Sequence, residues 1–100
     1  MQYFGFFKGM KYGECEEDFE EYKHIDNQLK KADVLSYIKK LPISAVAPMS
    51  VTDIFTNEPI EQAGIIEDGG FTFPTDFVHY FEKYDIGIPL EYEEYIKSKI

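Results

Sequence analysis

The chain has 100 residues, with 19 Asp and Glu against 10 Lys and Arg, a formal net charge of −9 at pH 7 and an isoelectric point near 4.6. This balance argues against direct binding to nucleic acid, which needs clustered Lys and Arg, and against binding to anionic membrane surfaces. Hydrophobic residues make up 44 % and aromatics 17 %, a composition far from that of disordered chains, and the length suits a single domain over residues 1–100 with one core.

Eight Tyr and nine Phe with no Trp point to a core built from rings. A lone Cys leaves no intramolecular disulfide. No run reaches the roughly 18–20 apolar residues that span a bilayer, and the first residues lack a basic segment before an apolar one. The expected compartment is the cytoplasm.

Residues 1–13 are aromatic and punctuated by Gly5, Gly9 and Gly13. Tyr3-Phe4 and Phe6-Phe7 read either as a short buried strand or as the irregular start of a helix. From Cys15 the apolar positions Cys15, Phe19, Tyr22, Ile25 and Leu29 recur at three and four residues, the spacing of one helix face. Asp26-Asn27 marks a break. A second helix is expected from Lys31 to Leu41, with Val34, Leu35, Ile38 and Leu41 inward and Pro42 ending it.

Residues 43–73 mix Ile, Val and Phe with Ser, Thr and two prolines. Ile65-Ile66, Glu67-Asp68-Gly69-Gly70 and Phe71-Thr72-Phe73 read as strand, tight turn, strand. Pro48 and Pro59 are expected at strand ends or edges. Beyond Thr75 or Asp76, both good N-caps, Phe77, Tyr80, Phe81 and Tyr84 fall at helical spacing. Gly87 suits a turn and Pro89 the first turn of a last helix, along which Leu90, Tyr92, Tyr95 and Ile96 are apolar and Glu91, Glu93 and Glu94 solvated. The sum is an α+β domain: a small antiparallel sheet of about three strands over residues ~43–73, with helices before and after it packed on one face.

No catalytic or cofactor motif stands out. The one Cys and two His are too far apart for a zinc site, so neither metal nor cofactor is expected. Cys15 stands beside Glu14, Glu16 and Glu17, and anions disfavour the thiolate that a nucleophile needs. Asp53 and Asp76 lie in apolar neighbourhoods, where one member of an acid–base pair could sit, but each also suits a cap or a turn. His79 reads as a partly exposed helix residue or as a pH-sensitive contact.

The strongest signal is the run from Glu14 to Glu21, in which six of eight residues are acidic. It reads either as a solvated helix face or as a negative surface that docks on a basic partner, with aromatic anchors supplying affinity that charge alone does not. The residues expected to bind are Glu16, Glu17, Glu20 and Glu21 for charge, and Tyr84 and Tyr92 as anchors. The sequence thus reads as a non-enzymatic acidic module that neutralises a basic protein, most concretely a bacterial immunity or inhibitor protein against a toxin such as a nuclease. The alternatives are a DNA-mimicking inhibitor of a DNA-binding protein and a small enzyme that needs oligomerisation to build a pocket.

Overall fold

The structure, a computed structural model, describes residues 2–10, 12, 15–48, 50–60 and 63–100. Gly13, Glu14 and Met49 lie outside them. The described residues form β1 (Gln2–Tyr3), α1 (Phe19–Tyr22), α2 (Lys31–Ile38), β2 (Ala45–Val46), β3 (Val51–Thr52), β4 (Pro59–Ile60), β5 (Gly64–Asp68), β6 (Phe71–Pro74), α3 (Asp76–Lys83) and α4 (Leu90–Lys97). The class is α+β.

The centre is the β5–β6 hairpin, with Asp68 opposite Phe71 and Ile65 opposite Pro74. Gly69 and Gly70 take φ values of 58° and 88°, the two positive angles that a tight hairpin turn of matching twist requires. β2 pairs antiparallel with β5. The sheet has a fourth strand, and it is mixed rather than purely antiparallel: β1 runs parallel to β6, giving the order β1-β6-β5-β2. β3 and β4 form a separate two-stranded hairpin, and Pro59 opens β4 where a missing N–H is tolerated.

The helices pack on the sheet through a core of rings. Phe4, Ile66 and Phe73 from the sheet side meet Val34 and Ile38 of α2, Phe77, Tyr80 and Phe81 of α3, and Tyr92 and Ile96 of α4. The Phe4 ring stacks on Phe73 at 4.8 Å and meets Phe77 edge-on at 5.2 Å, geometries that add to plain area burial. The segment 2–10 therefore contributes to this core through Phe4 and Phe7, which are both buried. Gly5 makes the approach possible: its φ is +80°, and a Cβ there would lie 2.8 Å from Phe77 Cδ1.

The helix expected from Cys15 is reduced to one turn. Asp18 takes an extended conformation and its Oδ1 accepts from Glu20 N–H at 3.0 Å, so the helix starts there. Glu17, just before it, spends its backbone on a bridge to the N-terminal segment: Glu17 N–H donates to Phe6 O and Lys8 N–H to Glu17 O. The apolar spacing still marks burial, since Phe19 and Tyr22 are buried and Ile25 and Leu29 pack on the core. Past the turn, the chain is pinned by distant partners. Gly87 N–H donates to Tyr22 O, Ile88 N–H to Asn27 Oδ1, and Leu29 N–H to Glu93 Oε2 at 2.8 Å. Glu93 is consequently buried, not solvated.

α2 ends at Ile38, with Lys39 and Lys40 in the turn that follows. α3 spans the expected positions, with Thr75 at its N-cap. Pro89 occupies the N-cap position of α4 rather than its first turn.

Candidate functional site

The acidic run divides at Asp18. Glu20 and Glu21 lie on α1 and are exposed, and Glu16 is exposed on the extended segment before it. Glu20 pairs with Lys23 at 3.2 Å, an exposed contact that contributes about 0–1 kcal/mol. Glu17 differs from these three. It is half-buried; its Oε1 accepts from Phe6 N–H at 3.1 Å and its Oε2 from the Tyr22 hydroxyl at 2.6 Å. Burial, followed by the bond to Glu17, holds the Tyr22 phenol far above its usual range. The Glu17 carboxylate is thus fixed in place, while Glu16, Glu20 and Glu21 extend into solvent.

The two tyrosines expected as anchors both turn inward. Tyr92 is 0 % exposed. Its ring sits 5.2 Å from Phe4, 5.0 Å from Phe71 and 5.5 Å from Phe73, and its hydroxyl donates to Asp68 Oδ2 at 2.9 Å. It is a core residue and offers nothing to a partner in the folded state. Tyr84 ends α3 and is half-buried, 5.4 Å from both Phe19 and Phe55. Its hydroxyl points inward to Asp53 Oδ2 at 2.8 Å, so only part of the ring remains at the surface beside α1.

Several large apolar side chains are exposed, Val46, Phe55 and Ile100 among them, and two of the exposed ones lie close together. Tyr3 on β1 is 63 % exposed and Leu90, at the start of α4, is 54 % exposed. They line one hollow of about 360 Å³ together with Glu17, Glu21, Ile25, Pro89 and Glu91. A second hollow of about 280 Å³, lined by Tyr3, Phe6, Glu16 and Glu17, adjoins it through Tyr3 and Glu17. The surface therefore places apolar groups among four carboxylates from three parts of the chain. Among the described residues Glu16, Glu17, Glu21 and Glu91 make no ion pair, and Lys23 is taken by Glu20. Lys8 is exposed on the segment that bonds Glu17 and likewise makes no ion pair among the described residues. Sequence spacing gives a faint pointer to Tyr3, because a strand that buries Phe4 turns Tyr3 outward. It gives none to Leu90, which shares a helix with the buried Tyr92 and Ile96.

Asp53 and Asp76 are both 1 % exposed and both line a further hollow of about 410 Å³, with Gly9, Met10, Val51, Ile54 and Phe55 among its walls. Asp53 Oδ1 caps its own turn, accepting from Phe55 N–H at 2.7 Å and Thr56 N–H at 3.2 Å, while Oδ2 meets His79 Nε2 and the Tyr84 hydroxyl, each at 2.8 Å. Burial pushes this carboxyl up, but these four contacts outweigh it and hold it below its ordinary range. An ionised Asp53 assigns the Nε2 proton to His79. The arrangement ties the β3–β4 hairpin to α3. Asp76 accepts from the Tyr12 hydroxyl at 2.6 Å, and burial leaves its carboxyl raised despite that bond. Burial and then Asp76 push the Tyr12 phenol up to about 12.

Cys15 is half-buried and donates to Tyr12 O. Burial first, then Asp76 and Glu17, push its thiol up, away from nucleophilic character. Among the described residues no group of three or more His, Cys, Asp or Glu could hold a metal ion, and no helix is long and apolar enough to cross a membrane. Comparison with protein-family models, with curated proteins and with solved structures gives no match.

Proposed function

We propose that the protein is a non-enzymatic acidic binding module that neutralises a basic partner protein, most concretely a bacterial immunity or inhibitor protein against a toxin such as a nuclease. The observation that carries this reading is the surface around Tyr3 and Leu90, where exposed apolar side chains lie among carboxylates that have no cation of their own among the described residues. An apolar centre with a charged rim combines affinity with steering. A nucleic-acid-cleaving enzyme is a partner of suitable chemistry, because its substrate cleft must be basic.

The hollow beside Asp53 and Asp76 is the observation that speaks for the enzyme reading. It counts for less, since both oxygens of Asp53 are engaged and its carboxyl is held low, which leaves a weak base.

The test is charge reversal at the exposed acids that do not hold the fold: Glu16→Lys, Glu20→Lys and Glu21→Lys together. Glu17 is left alone because it bonds Phe6 and Tyr22. Against a basic partner recovered by affinity capture, the triple variant is expected to associate at least about tenfold more slowly at low salt, with a flatter salt dependence and little change in dissociation. Circular dichroism should match the wild type. Unchanged association would reduce these acids to solvation.

A further inference from the structure

The chain contains ten lysines and no arginine, and several lysines lie over its own rings: Lys23 over Phe19, Lys31 over Phe81, Lys83 over Tyr84 and Lys99 over Tyr95. Lysines also meet carboxylates, as in Lys39–Glu82, Lys83–Glu58 and Lys97–Glu94. The molecule therefore places its own cations over rings and against acids across much of its surface. The face around Tyr3 is different. Among the described residues no lysine lies over the Tyr3 ring, and none pairs with Glu17, Glu21 or Glu91.

We propose that the hollow of about 360 Å³ between Tyr3 and Leu90 is the seat for a single arginine or lysine side chain of the basic partner. This rests on the partner reading above and specifies what the partner inserts. The volume lies near the lower end of ligand pockets, roughly 300–1,000 Å³, and leaves room for one long side chain. Ile25, Pro89 and Leu90 offer apolar wall to its methylene stem, as long cationic side chains bury their stems and keep their heads polar. The exposed Tyr3 ring can take the cation on its face.

Three carboxylates from separate parts of the chain meet the charged head: Glu17 before α1, Glu21 on α1 and Glu91 on α4. Glu17 is preorganised by Phe6 N–H and the Tyr22 hydroxyl, so it loses little freedom when a cation arrives. A guanidinium suits the site particularly well, because its planar fork can bond two carboxylate oxygens at once. The carboxylates are not arranged as a metal site among the described residues, which favours a cation that brings its own apolar stem.

The test is an NMR titration of the ¹⁵N-labelled protein with N-acetyl-arginine methylamide, using the norleucine analogue as the uncharged control. Saturable shifts are expected at the amides of Tyr3, Glu21, Ile25, Leu90 and Glu91, with none from norleucine. Glu21→Gln with Glu91→Gln should weaken binding about tenfold, as loss of a charge-assisted contact implies, and Tyr3→Ser should weaken it further. All three positions are exposed, so the fold survives these changes. The inference is overturned if no saturable shift appears at these amides, if norleucine reproduces it, or if the double variant binds as the wild type does. Localised binding of the arginine derivative, with partner association unmoved by the triple charge reversal, shows a cation-binding hollow but refutes its use by a partner. Partner association lost on charge reversal, with no arginine-derivative binding, refutes the seat alone.

Discussion

Tyr92→Ala is expected to destabilise the protein by about 3–5 kcal/mol, the range for removing a fully buried aromatic side chain. The ring fills space among Phe4, Phe71 and Phe73, and its loss leaves a cavity that rigid neighbouring rings close poorly. Against a total stability of roughly 5–15 kcal/mol for a domain, such a change consumes much of the margin. Tyr92→Phe keeps the ring and removes only the bond to Asp68, which retains the Tyr37 hydroxyl at 2.8 Å; about 1 kcal/mol is expected. Urea denaturation of the two variants checks both figures. A wild-type midpoint for Tyr92→Ala would mean that the ring contributes nothing to the core.

Asp53→Ala is expected to cost about 3 kcal/mol or more, because one change strips the partner from His79, the Tyr84 hydroxyl and two backbone N–H groups. The pH dependence carries a sign that separates Asp53 from Asp76. Asp53 is lowered in the folded state relative to its ordinary value of 3.8, so its contribution is complete above that value and is lost as pH falls through the lower folded value. Asp76 is raised, chiefly by burial. Its ionised form is disfavoured by folding, and that cost declines as pH falls below its folded value and is gone below the ordinary value of 3.8. Asp76→Asn, which keeps an acceptor for Tyr12, should therefore be neutral or slightly stabilising near pH 7, whereas Asp53→Asn destabilises. Urea midpoints measured between about pH 2 and pH 7 should vary with pH differently for the two variants. Parallel curves would refute the assignment.

Local chemistry was easy to read from the residues, and long-range pairing was not. Asp68-Gly69-Gly70 named its own hairpin turn, and the spacing of Phe77, Tyr80 and Phe81 named α3. The expected strand region contained β2, β5 and β6 but could not include β1, whose two residues pair with a segment at the other end of the chain. The helix from Cys15 failed for a similar reason: Glu17 bonds the N-terminal segment, a partner that no periodicity reveals. For the surface, the exposure of the acids was legible and the burial of Tyr92 was overlooked. Glu16, Glu20 and Glu21 are exposed, as their clustering implied, while Tyr92 sits four residues from Ile96 on the face that packs inward. That spacing was in the sequence, and it favoured burial over display.

The parallel pairing of Gln2 with Phe71 and Tyr3 with Thr72 also bears on the order of assembly. A contact between such distant positions waits for a long loop to close, and such contacts slow folding. On a ribosome the strand that carries Tyr3 emerges before β6 and cannot find its neighbour until β6 has been made. Pairing β1 with β6 thus also sets the Tyr3 side of the hollow that α4 completes. A partner seated on Tyr3 and Leu90 would hold together β1 and α4, and its binding energy would add to the free energy of opening the whole molecule rather than quieting one loop.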